Sequence, residues 1–181
     1  VLAVVGYALP GFIIALFLVR IFAIQLGWFP ATGYTPPGTS VPAWTMSVAL
    51  PVAALAIGAI SATAQQVRSA TIDVLRQDFV RTLRSRGLPE HRVVLGHVVR
   101  NASAPALTVL ALQFVGLLGG AVVVEQIFAI PGLGSIAVTS TSQGDVPLVM
   151  GLVMVTVMFV ILINLLVDVA VGWLNPKARV A

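Results

Sequence analysis

Seven arginines, Arg68, Arg76, Arg81, Arg84, Arg86, Arg92 and Arg100, fall within 33 consecutive residues of a chain that has only ten lysines and arginines in all. Such a cluster can hold phosphates, carboxylates or anionic lipid. Other chemistry has little to work with. There is no cysteine, which excludes disulfides, thiolate metal sites and thiol nucleophiles. His91 and His97 stand six apart and share no face with a carboxylate at ligand spacing, so solvated or partner-facing positions are expected and no metal site. The apolar segments carry no His-Glu-x-x-His, no Ser/His pair and no paired aspartates, so no catalytic residue is expected either. A nucleotide-phosphate loop needs Gly-Lys-Ser/Thr, and the single lysine, Lys177, follows a proline. The run Gly132-Leu133-Gly134-Ser135 superficially matches a degenerate dinucleotide fingerprint. It follows Pro131 in a loop and does not join a strand to a helix, so no cofactor is expected in this chain.

The elements that must position these residues are set by composition. Hydrophobic residues make up 59% of the 181 positions and charged residues 9%, with a mean hydropathy of +1.05. Soluble domains carry about 25% charged residues, so this chain cannot present a solvated surface on its own. Apolar runs flank the arginine cluster on both sides, which argues against a nucleic-acid partner. A spanning helix needs about 20 mostly apolar residues. Segments at roughly 2–26, 43–66, 102–124 and 147–173 qualify. The expected fold is an all-α, polytopic transmembrane bundle in a lipid bilayer, one domain over 1–181. Val1 lies within apolar sequence without a basic start or a cleavage site; a processed or artificial boundary is expected there. Pro30, Pro36, Pro37 and Pro42 break the chain between the first two spans, where Trp28, Tyr34 and Trp44 suit a membrane interface. A second loop, broken at Pro131-Gly132 and at Gly144, separates the last two spans.

Orientation follows from the positive-inside rule. The 68–100 segment and the C-terminal tail hold nine lysines and arginines, and the loops at 27–45 and 125–147 hold none. The first pair is expected in the cytoplasm. The Asn101-Ala102-Ser103 glycosylation pattern then falls on the wrong side to be used. Arg20, in the first span, reads either as snorkelling to the outer interface or as facing a water-filled path. Glu125 and Asp145 lie at outer span ends, where interface solvation or docking of a further protein is expected ahead of substrate coordination. Asn164 and Asp168, one turn apart near the inner end of the last span, are expected to satisfy neighbours or interfacial cations, with an inner gate as the alternative. Small residues at four-residue spacing, Ala54, Gly58 and Ala62 in one series and Gly116 and Gly120 in another, allow close helix approach within the subunit or against a second one.

Within the basic segment, Ile72, Leu75, Phe79 and Leu83 follow helical spacing, so one amphipathic helix is expected over 70–86. Gly87 supplies a stop, and Pro89 with Glu90 fits the first turn of another helix. Val93, Val94, Leu95, Val98 and Val99 give that second helix an apolar side. Two uses of a helix–Gly–helix elbow stay open: docking into a partner, or lying on anionic lipid.

The letters from Asp78 to Pro105, DFVRTLRSRGLPEHRVVLGHVVRNASAP, resemble the cytoplasmic signature loop of permeases in binding-protein-dependent ABC importers, most closely the dipeptide/oligopeptide branch, which includes nickel permeases. Arg81, Thr82 and Leu83 occupy the E-A-A positions of the general signature and Gly87 its glycine. Glu and the paired alanines are missing and Pro105 lies later than usual, as in the peptide branch. Leu26–Tyr34, Leu117–Gly134, Asp145–Val153 and Leu162–Arg179 resemble the same branch in the same order.

The resemblance implies a non-enzymatic transport subunit carrying the last four of a typical six helices. It implies a bacterial cytoplasmic (inner) membrane location and a cytoplasmic C-terminus. It also implies partners: a second permease subunit, homologous or identical; two cytoplasmic ABC ATPase subunits that hold the ATP; and an extracytoplasmic solute-binding protein. The coupling loop, about 68–101, would act through Phe79, Arg81, Thr82, Leu83, Arg84, Gly87, Leu88 and Pro89, with the arginines pairing to the ATPase and Phe79, Leu83 and Leu88 filling its groove. Arg20, Glu125, Asn164 and Asp168 are the candidates for gate or interface. Peptides are the expected cargo, with nickel, glutathione or another small solute as alternatives. A secondary carrier would place ionisable residues at mid-membrane, where these spans have neither acids nor histidines. A membrane scaffold would not explain the family-like loops.

Overall fold

The computed structural model describes residues 10–174, and these are helical with no strand among them. Helix α1, Gly11–Leu18, runs on into a π-helical stretch, Val19–Gln25. It stops at Gly27 (φ +66°), whose left-handed backbone a side chain would oppose. Residues 1–9, which belong to the expected first span, lie outside the described residues.

Helix α2, Val41–Leu75, opens where Ser40 caps it: the Ser40 carbonyl accepts from the Trp44 N–H at 2.9 Å, and its hydroxyl accepts from Ala43 N–H. At 35 residues, or ~50 Å at 1.5 Å per residue, it is longer than a bilayer core of about 30 Å. The expected break between a span ending near 66 and a separate helix starting near 70 is absent. Nothing from Gln65 to Leu75 interrupts the backbone: there is no Gly or Pro, and the glutamines and Arg68 are good helix formers. The chain breaks instead at Gln77, which is extended (φ −73°, ψ 148°).

After the break come the short α3, Asp78–Ser85, and α4, Glu90–Arg92. A π-helical stretch, Val93–Val98, carries the path directly into α5, Val99–Phe128. Helix α6, Leu133–Gln143, lies where the sequence predicts a loop, and α7, Val146–Leu174, is the last described element. The breaks at Pro131-Gly132 and Gly144 are where they were expected; the helix between them was not. Three stretches are long and apolar enough to cross a membrane, Val41–Leu75, Pro105–Phe128 and Val146–Trp173, with Gly11–Gln25 as a shorter apolar helix. Large apolar residues on α7, among them Met154, Met158 and Trp173, are exposed. A helix apolar all round needs lipid or a partner as its solvent.

The described chain forms two compact units, residues 10–61 with 114–158 and residues 62–113 with 159–174. The first is centred on Ala15, Leu50, Ala54, Val124 and Phe128, with Phe22, Phe29, Leu55 and Ile130 packed around them. Ala54 is fully buried there, and Gly120 meets Leu55 at ordinary contact distance, so part of the small-residue series serves packing within the chain. Gly58 and Gly116 meet nothing within 4 Å. The second unit is centred on Val74, Val80, Val93, Val98 and Ala102.

Candidate functional site

The elbow is built from the end of α2, α3, the Gly87 turn and the start of the path into α5. Once the backbone breaks at Gln77, Asp78 sits in the first turn of α3, where an acid favours the helix dipole, and Arg84 in the last. Gly87 takes φ +77°. Its N–H donates to the Arg84 carbonyl at 2.9 Å, and the Leu88 N–H reaches the Leu83 carbonyl at 3.4 Å. Leu83 and Leu88 then pack on the same cluster, the apolar contact that accompanies this helix ending. Pro89 caps the next helix, its carbonyl accepting from Arg92 N–H at 2.9 Å.

Two apolar layers hold the elbow. Val80 and Val93 are completely buried, and Phe79, Leu83 and Leu88 are half-buried against them. The three residues expected to fill a partner's groove therefore already pack against the elbow's own core. Leu95 and Val99, expected on the packed side, are exposed, because the π-helical turn at Val93–Val98 shifts the register and leaves Val93 and Val98 facing inward. The outward surface is polar, comprising Asp78, Arg81, Thr82, Ser85, Arg86 and Pro89. Arg81 makes only a loose pair with Asp78 at 3.7 Å, both side chains exposed.

Arg84 is different. Its Nε donates to Glu90 Oε2 at 3.1 Å and its Nη2 to Glu90 Oε1, a two-point pair that bridges the Gly87 turn. The hydrogen bonds from Arg84 hold the Glu90 carboxyl below its ordinary range, and the same bonds raise the guanidinium. So Arg84 closes the turn, while Arg81 and Arg86 stand exposed on the outward side. His91 and His97 are both exposed, and the His97 carbonyl accepts from Asn101 Nδ2 at 2.8 Å.

A second polar cluster lies in the other unit, at the end of α5. Glu125, expected in solvation or docking, is part-buried. Its Oε2 accepts the backbone N–H of Ser135 in the first turn of α6 at 2.8 Å. An acid there is favoured by the dipole of α6. The Ser135 hydroxyl accepts from Gly132 N–H at 2.9 Å. The corner itself turns at Ala129 (φ +52°), with Ile130 N–H donating to the Glu125 carbonyl at 2.9 Å. Gly33 N–H donates to the Phe128 carbonyl at 2.9 Å and ties the proline-rich loop to the same corner. Glycine is required at two positions for space. A Cβ on Gly134 would lie 2.6 Å from Val122 Cα, and one on Gly132 would run into the Glu125 carboxylate. Asp145 caps α7, its Oδ1 accepting from Leu148 N–H at 3.1 Å. Sequence could have signalled that cap, as an acid follows Gly144 directly before an apolar run.

The remaining candidates stay apart from these clusters. Arg20 is exposed in the π-helical stretch. Asn164 donates to the Val160 carbonyl within its own helix at 2.9 Å. Asp168 is exposed, with no ion pair among the described residues.

Long apolar helices linked by a self-packed polar elbow define a multi-pass helical membrane protein. The chain belongs to the family of binding-protein-dependent transport system inner membrane components, whose pattern it matches over residues 1–180. It is 39% identical over 178 residues to a dipeptide transport system permease protein of Bacillus subtilis, covering 98% of this chain and 55% of that protein. A glutathione transport system permease protein of Salmonella typhi is 40% identical, covering 98% of this chain and 56% of its own length. A Brucella abortus protein, provisionally named a peptide transport system permease, is 40% identical over 98% of this chain and 57% of its own length. The chain thus spans little more than half the length of these relatives.

Proposed function

We propose that this chain is the helical core of a permease subunit that passes small peptides across the bacterial cytoplasmic membrane, driven by separate ATPase subunits. The observation that carries the reading is the elbow. It packs its own apolar residues inward and offers Arg81, Thr82, Arg86 and Pro89 outward. A hairpin made to lie on lipid would turn its apolar face to the bilayer; here that face is covered by Val74, Val93 and Val98. Such an element can transmit a push without deforming, because α2 enters it and α5 leaves it as continuous helix.

In this reading the arginine-rich elbow and the C-terminus face the cytoplasm, and the loops at 27–45 and 125–147 face the binding protein. A second permease subunit covers the exposed face of α7, and two ATPases bind the ATP. Arg20, Asn164 and Asp168 remain candidates for interface or gate. Peptides are favoured as cargo because glutathione is itself a tripeptide, so the relatives' names converge on one chemical class.

The test is purification of the full-length protein from detergent extract, wild type against Arg81→Glu/Arg86→Glu and Gly87→Pro. An ATPase subunit should accompany the wild type, with hydrolysis stimulated by the loaded binding protein. Both changes should abolish that stimulation. Unchanged behaviour of the variants would return the elbow to a lipid-facing role.

A further inference from the structure

The corner at the end of α5 borders a cleft of about 510 Å³, lined by Tyr34, Glu125, Gln126, Ser135 and Thr139 around Ala129, Ile130 and Pro131. Clefts of ~300–1,000 Å³ are the size that takes small molecules. The polar lining is one-sided in charge. Loops 27–45 and 125–147 contain Glu125 and Asp145 and no lysine, arginine or histidine. Glu125 has no cationic partner among the described residues. Its side-chain hydrogen bond comes from a neutral donor, the Ser135 N–H. The first turn of α6 offsets part of the carboxylate charge on the oxygen that faces Ser135, and the other oxygen carries the rest.

The neighbouring groups are acceptors. Thr139 spends its proton on the Ser135 carbonyl at 2.9 Å and keeps both lone pairs, whereas Ser135 spends its own on the Gly132 carbonyl at 2.8 Å and accepts from Gly132 N–H at 2.9 Å, keeping one. Tyr34 and Gln126 complete the lining. One carboxylate among neutral oxygens suits a group that brings three donors and one positive charge.

We propose that this cleft binds the primary ammonium of the transported peptide, with Glu125 as its counter-ion. The proposal rests on the peptide-import reading above. Glu125 thereby has two tasks, docking α6 through one oxygen and neutralising the substrate's amino terminus as it leaves the binding protein.

The test uses the complete importer in proteoliposomes, with alanyl-alanine and an analogue in which hydroxyl replaces the terminal ammonium. Each is supplied at a concentration that saturates the binding protein. Glu125→Gln keeps an oxygen for the Ser135 N–H and removes the charge; Gln126→Glu adds a second carboxylate at an exposed position. Wild type should import the dipeptide about tenfold faster than the analogue, the scale of one charge-assisted hydrogen bond. Glu125→Gln should bring the two rates together by slowing the dipeptide alone, and Gln126→Glu should keep or widen the gap. Equal rates in wild type, or a Glu125→Gln protein that slows both compounds in proportion, would overturn the site. Failure of wild type to import either compound would instead overturn the import reading, and this site with it.

Discussion

The elbow at 76–92 and the corner at 129–145 both interrupt the helical path beside a long apolar helix, yet they weight polar and apolar contacts differently. The elbow is pinned by apolar side chains, with Val80 and Val93 completely buried and one arginine–glutamate pair bridging its turn. The corner starts from the buried Phe128 with Ile130 beside it and adds polar groups against backbone: Glu125 on Ser135 N–H, Gly33 N–H on the Phe128 carbonyl, and Asp145 on Leu148 N–H. Their glycines differ accordingly. Gly87 has open space around it and is needed for its positive φ, whereas Gly134 has ordinary backbone and no room. A corner locked by backbone contacts resists displacement atom by atom. An elbow with its own core can move as a body, which is what a lever requires.

That comparison can be broken most forcefully at Gly134. Gly134→Ala places a Cβ 2.6 Å from Val122 Cα, and backbone cannot yield as a side chain can. Overpacking of this kind costs roughly 1–3 kcal/mol, and the upper end is expected, seen as a lowered melting temperature of the full-length permease in detergent. Gly87→Ala should cost less, about 1–2 kcal/mol for a left-handed alanine, with Gly87→Asn milder because asparagine tolerates that backbone. Equal losses at Gly134 and Gly87 would erase the distinction between a steric and a conformational glycine. The smallest effect runs the other way. Ala129 already holds a left-handed backbone (φ +52°) at a helix end where glycine is usual, so Ala129→Gly should stabilise by about 1 kcal/mol or less.

The same contrast explains what could be read from the letters. Apolar length marks the three long helices, and Gly87 with Pro89 marks the elbow's turn, because both signals are local. The elbow's family-like letters also pointed to its residues, yet not to what they touch. Phe79, Leu83 and Leu88 look free to enter a partner until Val93 and Val98 are brought beside them across the turn. Arg84 is one of four arginines in α3 and its flank, and only the fold singles out Glu90 as its mate. In the corner, α6 was missed because serine and threonine between Pro131 and Gly144 read as loop. Its first turn is held by Glu125, ten residues earlier, a contact no local pattern encodes. The break of α2 was misplaced by the change from apolar to basic residues at Arg68, a change of environment and not of backbone.

In the proposed reading the polar face of the elbow meets a separate ATPase. The chain has no cysteine, so Thr82→Cys on that exposed face and Thr139→Cys on α6 provide matched probes in the full-length protein, any cysteine elsewhere in it being replaced. Cross-linking in membranes should join Thr82→Cys to the ATPase subunit, with a yield that changes on adding ATP, and leave Thr139→Cys without that product. An ATPase adduct from Thr139→Cys, or none from Thr82→Cys in membranes where the ATPase co-purifies with the permease, would contradict the account.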